Sequence, residues 1–153
     1  MPTRTRTQSG NYPIPTRVTP TLANACARHD TVFVQMDSKL KGMAGMAIAH
    51  VLLLFRFTFD EVDYPCALVS WMVTYDEPDD DTGLWVVRPE FEGNGCRKLG
   101  MIHLDCVARA AHLLPVYGSS FVPENFHFSD ALNAYRAYFV NHYIDNHTHQ
   151  LVR

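Results

Sequence analysis

Several sequence features that would define common protein classes are missing from this chain of 153 residues. No apolar run is long enough to cross a bilayer, because the longest, residues 43–55, contains His50 and ends before Arg56. No apolar segment follows the amino terminus, so we expect no secretory signal. The chain also has no glycine-rich phosphate loop and no dinucleotide fingerprint. These absences argue against a helical membrane protein, a P-loop enzyme and a Rossmann-type dehydrogenase.

Acidic residues are absent from residues 1–29, which hold four arginines (Arg4, Arg6, Arg17 and Arg28). Of the 13 Lys and Arg residues, nine then remain for the rest of the chain, against 16 acids, which gives that part a formal charge of −7. An acidic body repels a phosphate backbone, so only the amino-terminal segment could contact DNA, and weakly, through Arg4, Arg6 and Arg17.

The chain divides into a flexible basic arm over residues 1–27 and a single domain over residues 28–150. Prolines interrupt any helix in the arm. The hydrophobic fraction of 47% suits one domain with its own core. The cysteines favour reduced thiols in an intracellular setting; they are Cys26, Cys66, Cys96 and Cys106.

A two-strand stretch, residues 48–75, organises the domain. Apolar side chains alternate along residues 48–59 and 66–73, and an acidic turn at residues 60–63 joins them. Both faces are apolar, so we expect the hairpin inside a barrel, with Cys66 and His50 as core residues. Three further runs with strand patterning follow the same rule: residues 31–36, 84–91 and 98–107. The chain is therefore predicted to be mainly β, with a small SH3-like five-stranded β-barrel.

The carboxyl-terminal part is predicted to be helical. Ser129 and Asp130 have the character of an N-cap and first turn. Apolar residues spaced three or four apart then form the stripe of an amphipathic helix: Leu132, Tyr135, Phe139 and Tyr143. We expect this helix to close the barrel. A short helical turn is also expected within residues 107–118, ended or redirected by Pro115.

Two sets of residues have the composition of a zinc site. One combines the pairs Cys26-x-x-His29 and His103-x-x-Cys106. Residues three apart on a strand point to opposite faces, which argues against His103 and Cys106 sharing an ion. The other set, His142, His147 and His149, lacks a carboxylate partner. We therefore predict no metal and no cofactor.

Cys106, with His103 or His112 nearby, has the ingredients of thiolate chemistry, and a thiol or metal hydrolase would use Cys106, His103 and Asp105. No glycine-rich elbow surrounds any Ser or Cys, which argues against this thiol or zinc hydrolase. The acids of residues 75–83 could be carboxylates for metal-dependent phosphoryl transfer. They are crowded into one hydrophilic turn and do not lie on rigid strands, so a solvated loop is the better interpretation.

Aromatic residues flank that acidic turn. Trp71, Tyr75 and Trp85 could form a cage for a cationic side chain, with Asp79 and Asp80 supplying negative charge. The alternative is that the tryptophans fill the barrel core. This hypothesis concerns the binding of a basic peptide and requires no catalysis.

Four segments carry a resemblance to a known family: RHDTVFV, DYPCALVSWM, DTGLWVVRPE and the long stretch from IHLDCV to NHYID. Together they resemble a region near the carboxyl end of fungal Plavaka-type transposase-like proteins, of the Kyakuja–Dileera–Zisupton group. The likeness covers residues 28–150 and no catalytic motif. It implies a transposon-derived, nuclear accessory module that lacks the RNase-H-like catalytic core. The order of strands also resembles, more weakly, bromo-adjacent-homology barrels of chromatin proteins. We therefore expect a non-catalytic protein-interaction module, with the hydrolase and DNA binding through the arm as alternatives.

Overall fold

The computed structural model of the chain describes the backbone of residues 17–20 and the whole of residues 30–119, 124–126 and 131–152. Within these residues, nine strands form one antiparallel sheet: β1 Arg17–Pro20, β2 Thr31–Gln35, β3 Met46–Phe59, β4 Val62–Thr74, β5 Val86–Pro89, β6 Leu99–His103, β7 Val107–Ala111, β8 Leu113–Pro115 and β9 Tyr138–Val140. The short helical segments are two 3-10 turns, Gly42–Gly45 and Leu104–Cys106, and two α-helices, α1 Ala131–Ala134 and α2 Asn146–Val152.

The sheet curls into a nearly closed barrel. Its strand order is β7-β2-β3-β4-β5-β9-β8, and the two strands at its ends are consecutive in the chain, separated only by His112. One bent segment, residues 107–115, therefore pairs with β2 through its first half and with β9 through its second. The prediction of a mainly β protein, with a small barrel and a carboxyl-terminal helix, is confirmed.

The β3–β4 hairpin is the longest feature of the sheet, as its alternation predicts. Phe59 pairs with Val62, and the two residues between them, Asp60 and Glu61, have φ of 50° and 62°. Two consecutive positive φ values are typical of a tight type I′ turn, whose twist matches that of the strands. The half of the hairpin next to the barrel pairs with β2 and β5, and the distal half pairs with β1 and β6.

The expectation that the whole hairpin is buried is correct for β3 up to the bulge and for β4 from Cys66 onward, where β6 pairs with it. His50 and Cys66 are buried, and desolvation raises the pKa of the Cys66 thiol. The register shifts between Val51 and Leu53, and beyond that bulge large apolar side chains are exposed: Leu52, Leu53, Leu54, Phe59 and Val62. The distal half therefore extends away from the core as a partly solvated ribbon.

Two buried clusters lie on the two sides of the sheet. The first, the barrel cluster, fills the barrel around Phe33, Ile48 and Tyr138, and Val152 of α2 contributes to it. The second, the outer cluster, is built on Val34, Ala67 and Val69 and is covered by side chains of β6 and the following 3-10 turn: Ile102, Leu104 and Cys106. Residues that alternate along β2, β3 and β4 supply opposite clusters, which explains why both faces of these strands are apolar.

The predicted helix over residues 131–147 is wrong in extent. Helix α1 has four residues, and the chain then enters strand β9, with Tyr138 and Val140 fully buried in the barrel. Strand β9 pairs with β5 on one side and β8 on the other, so its backbone groups are satisfied by the sheet. The Tyr138 hydroxyl also donates to the Ala131 carbonyl oxygen (2.7 Å), tying α1 to the strand. The carboxyl-terminal helix is the later and shorter α2.

Three smaller expectations also differ from the structure. The predicted helical turn within residues 107–118 is replaced by strands β7 and β8. The predicted strand over residues 98–107 is interrupted by the 3-10 turn Leu104–Cys106, where the chain turns from the distal ribbon to the barrel. Residues 17–20, assigned from sequence to the flexible arm, pair as β1 with residues 55–58 of β3. The count of five strands is accordingly too low.

Candidate functional site

The acidic turn between β4 and β5 is an ordered loop in which four of the five acids are exposed and Asp79 is half-buried. Asp79 organises it, because its side-chain Oδ2 accepts hydrogen bonds from the backbone N–H (3.0 Å) and hydroxyl (2.7 Å) of Thr82. The Asp79 backbone N–H donates to the Leu84 carbonyl (2.9 Å), and Gly83, with φ of +66°, donates to the Asp79 carbonyl (2.7 Å). Asp79 is therefore held in place by local geometry.

A groove of about 350 Å³ opens beside this loop. Tyr75, Glu77 and Asp79 form one side, and the apolar side chains of Val86, Val116, Ala137 and Phe139 form the rest. The apolar part comes from β5, β9 and the segment after β8, which the sheet brings together. A groove with one acidic, aromatic side and one apolar side suits a ligand that combines a positive charge with an aliphatic chain.

Tyr75 already contacts a cation within the protein. The residue is 48% exposed, and the Arg88 Cζ lies 5.5 Å from the centroid of the Tyr75 ring. This distance is within the range of cation–π attraction, which is worth about 0.5–1 kcal/mol at exposed sites. The ring is thus placed at the surface in a position where a guanidinium or ammonium group can approach it.

The other predicted cage residues are not in the groove. Trp71 packs against the outer cluster and lies over Gly100, whereas Trp85 packs against the barrel cluster on the opposite side of the sheet. Asp80 is exposed on the loop and does not line the groove. Tyr75 and Asp79 therefore line the same groove, whereas the two tryptophans pack against two different buried clusters.

Residues of the groove that sequence reasoning missed come from segments thought to be helical or irregular. Phe139 and Ala137 belong to the region predicted as one helix, and Val116 follows β8. No spacing in the sequence connects these positions with residues 75–79. The sequence predicts Glu77 only as one acid of a solvated turn. Its position on the groove depends on how that turn folds back on β5.

Of the two Cys/His pairs considered as a zinc site, only His103 and Cys106 lie within the described residues. Cys26 and His29 lie outside the described residues. His103 ends β6, and its Nδ1 lies 3.2 Å from the Asp105 backbone N and 3.3 Å from Asp105 Oδ2. Cys106 packs against the outer cluster. Among the described residues, no group of three or more metal-ligating side chains comes together.

The other candidate residues take structural positions. His142 is buried, and its ring centroid lies 5.2 Å from that of His149 within a small aromatic group that includes Tyr143. His103 contacts Asp105 and the ring of Tyr64, and its backbone position pairs with Cys66 of β4.

The arginines predicted to contact DNA are not described as side chains in the structure. Arg4 and Arg6 lie outside the described residues, and Arg17 is described only as a backbone position in β1. None of the helices in the described ranges is long and apolar enough to cross a membrane.

Comparison of the chain with protein-family models, with curated proteins and with solved structures finds no match. The class that the fold itself defines is a small, mainly β barrel with a long hairpin and a short carboxyl-terminal helix. The resemblance to transposase-like proteins stays a prediction. The groove beside the acidic loop is the feature from which a function can be proposed.

Proposed function

We propose that this protein is a non-catalytic interaction module that binds a basic peptide in the groove between the acidic loop and β9. The observation that carries the proposal is that one groove is lined both by Tyr75, Glu77 and Asp79 and by apolar residues of the sheet. A lysine or arginine side chain has the matching character, since its aliphatic stem packs on apolar surface while its charged end meets the carboxylates.

The charge of the loop supports this ligand class. Five acids and no base lie in residues 75–83 (Asp76, Glu77, Asp79, Asp80 and Asp81). A local concentration of one charge sign attracts an oppositely charged partner and accelerates its association, an effect that weakens as salt is added. Asp79 is immobilised by Thr82, so this carboxylate loses little conformational freedom when a ligand binds.

The family resemblance supplies the cellular context of the proposal. It suggests a transposon-derived accessory module that acts in the nucleus, within a transposase-related or chromatin-related assembly. In that context lysine-rich protein tails are abundant potential ligands for an acidic groove.

The test is a fluorescence-anisotropy titration of a labelled lysine-rich peptide with the full chain. Glu77→Gln is the diagnostic variant, because Glu77 is exposed, lines the groove and has no hydrogen-bond partner recorded among the described residues. We expect it to weaken binding about two- to fivefold at low salt, the usual range for one exposed charge pair. Tyr75→Ala should weaken binding further by removing the ring.

The matched control is Glu61→Gln, which removes the same charge from the hairpin turn, away from the groove. It should leave the affinity unchanged. Equal losses for Glu77→Gln and Glu61→Gln would mean that the peptide responds only to net charge, and no binding at millimolar peptide would exclude the proposed function.

A further inference from the structure

A larger cavity, of about 640 Å³, adjoins the groove and has the opposite charge. Its lining includes three arginines and one acid, together with an amide and two aromatic residues: Arg88, Arg97, Arg136, Glu90, Asn133, Phe91 and Tyr135. The groove and the cavity meet where Arg88, which lines the cavity, lies over the ring of Tyr75, which lines the groove. This cavity is unexpected in a chain whose body is acidic overall.

The arginines of the cavity come from three separate segments. Arg88 is on β5, Arg97 precedes β6, and Arg136 follows α1. Arg97 is oriented from two sides, since its Nη2 donates to Asn133 Oδ1 (3.1 Å) and its Cζ lies 5.5 Å from the centroid of the Phe91 ring. Arg97 is therefore held at the cavity rather than free to extend into solvent.

Within the part of the chain that the structure describes, no carboxylate neutralises the arginines of the cavity. Glu90 also lines it, but its Oε1 accepts a bond from Lys98 Nζ (2.7 Å). Among the residues that the structure describes, no carboxylate forms an ion pair with any of the three guanidinium groups. Three cations thus face one cavity, and gathering like charges is unfavourable unless an anion joins them.

We propose that this cavity binds a phosphorylated side chain of a peptide. A guanidinium presents paired N–H donors that match two oxygens of a phosphate, and clusters of arginines are a recurrent means of recognising phosphorylated motifs. Continuity with the neighbouring groove favours a peptide over a free nucleotide, because one extended chain can place a basic residue beside Glu77 and a phosphate beside Arg136. The anion site stands on its own residues; only the statement that one peptide occupies both sites rests on the proposed function.

The test uses the full chain and four labelled peptides of one length. Two of the peptides carry a pair of lysines and two carry a pair of alanines in the same positions. Within each pair of peptides, one contains phosphoserine and the other contains serine. Phosphorylation should raise the affinity about tenfold, and about equally with or without the lysines, because the two sites bind through different residues. Arg136→Gln should remove most of that gain. Arg56→Gln, on the distal hairpin, is the matched control and should retain it.

The outcomes separate the two proposals. A phosphate effect that is lost in Arg136→Gln, without any lysine effect, would support the anion site and reject the basic-peptide groove. A lysine effect that is lost in Glu77→Gln, without any phosphate effect, would do the reverse. A phosphate effect reduced equally by Arg136→Gln and Arg56→Gln would overturn the cavity assignment. Competition in which adenosine monophosphate displaces the phosphopeptide more strongly than free phosphoserine would overturn the peptide assignment in favour of a nucleotide.

Discussion

The contact between Trp71 and Gly100 makes a quantitative prediction about the core. A Cβ added at Gly100 would overlap the indole Nε1 of Trp71 and lie 3.0 Å from its Cε2, closer than real Cβ atoms approach such neighbours. Gly100 pairs with Val69 on β4, so the backbone at this point is fixed by the sheet and has little freedom to retreat. The indole must therefore move, and it lies against the outer cluster.

Gly100→Ala should lower the free energy of unfolding by about 1–3 kcal/mol, the typical cost of overpacking a well-filled site. For a chain of this length, that corresponds to a fall in the melting temperature of roughly 2–4 °C for each kcal/mol. Urea denaturation followed by far-UV circular dichroism measures the change without depending on tryptophan fluorescence. In a Trp71→Leu background the indole is absent, so the same substitution should cost about 1 kcal/mol less.

Gly93→Ala is the matched control, because nothing lies within 4 Å of a Cβ at Gly93. Its effect should stay within about 0.5 kcal/mol, as for ordinary surface substitutions. If Gly100→Ala were as harmless as Gly93→Ala, the indole would not lie over this glycine. Trp71 would then be available to line a pocket, as the original cage hypothesis required.

Three other predictions follow from local geometry. Glu61→Gly should raise the free energy of unfolding by about 0.5–1 kcal/mol in urea denaturation, because glycine adopts the φ of 62° without steric cost; an unchanged midpoint would contradict the type I′ turn. Asp145 caps α2 by accepting a bond from the Thr148 backbone N–H (2.8 Å), which lowers the pKa of this carboxyl. The stabilising effect of this carboxylate is therefore present above its unfolded-state pKa and is lost as the pH falls through its folded-state pKa. Asp145→Asn should accordingly flatten the acidic limb of the curve of unfolding free energy against pH. An unaltered acidic limb would argue against the cap. Alkylation mapped by mass spectrometry should label exposed Cys96 faster than Cys106, whereas faster labelling of Cys106 at neutral pH would revive the thiol-hydrolase alternative.

The hairpin and the barrel were predictable because their signals are local. Alternation along residues 48–59 and 66–73 and an acidic turn between them are sufficient to predict two paired strands. The bulge after Val51 was not predictable, since a single extra residue leaves the apolar composition unchanged while it shifts the register. Burial of the distal half was consequently overestimated.

The helix over residues 131–147 was wrong because two periodicities overlap there. Leu132, Tyr135 and Phe139 have helical spacing, while Tyr138 and Val140 have the spacing of a strand. The free space between β5 and β8 decides between them, because a strand inserted there satisfies both edges and brings the sheet close to closure. That information is tertiary and cannot be obtained from a window of the sequence.

The candidate sites were predictable only in part for the same reason. Tyr75 and Asp79 are close in sequence and belong to one loop, so their proximity was foreseeable. Trp71 and Trp85 pack on opposite sides of the sheet. Their environments depend on which other segments cover each face, and a sequence window does not contain that information. The cavity brings together arginines up to 48 positions apart, from Arg88 to Arg136, without any motif in the sequence.

The most direct test of the proposed groove is a two-dimensional NMR titration of the full chain with an unphosphorylated lysine-rich peptide. We predict saturable shifts confined to the backbone amides around the groove: Tyr75, Glu77, Asp79, Val86, Val116 and Phe139. Shifts of that kind would locate the ligand between the acidic loop and β9. Shifts spread over acidic residues elsewhere, such as Asp63 and Glu92, or no shifts at millimolar peptide, would contradict the central claim.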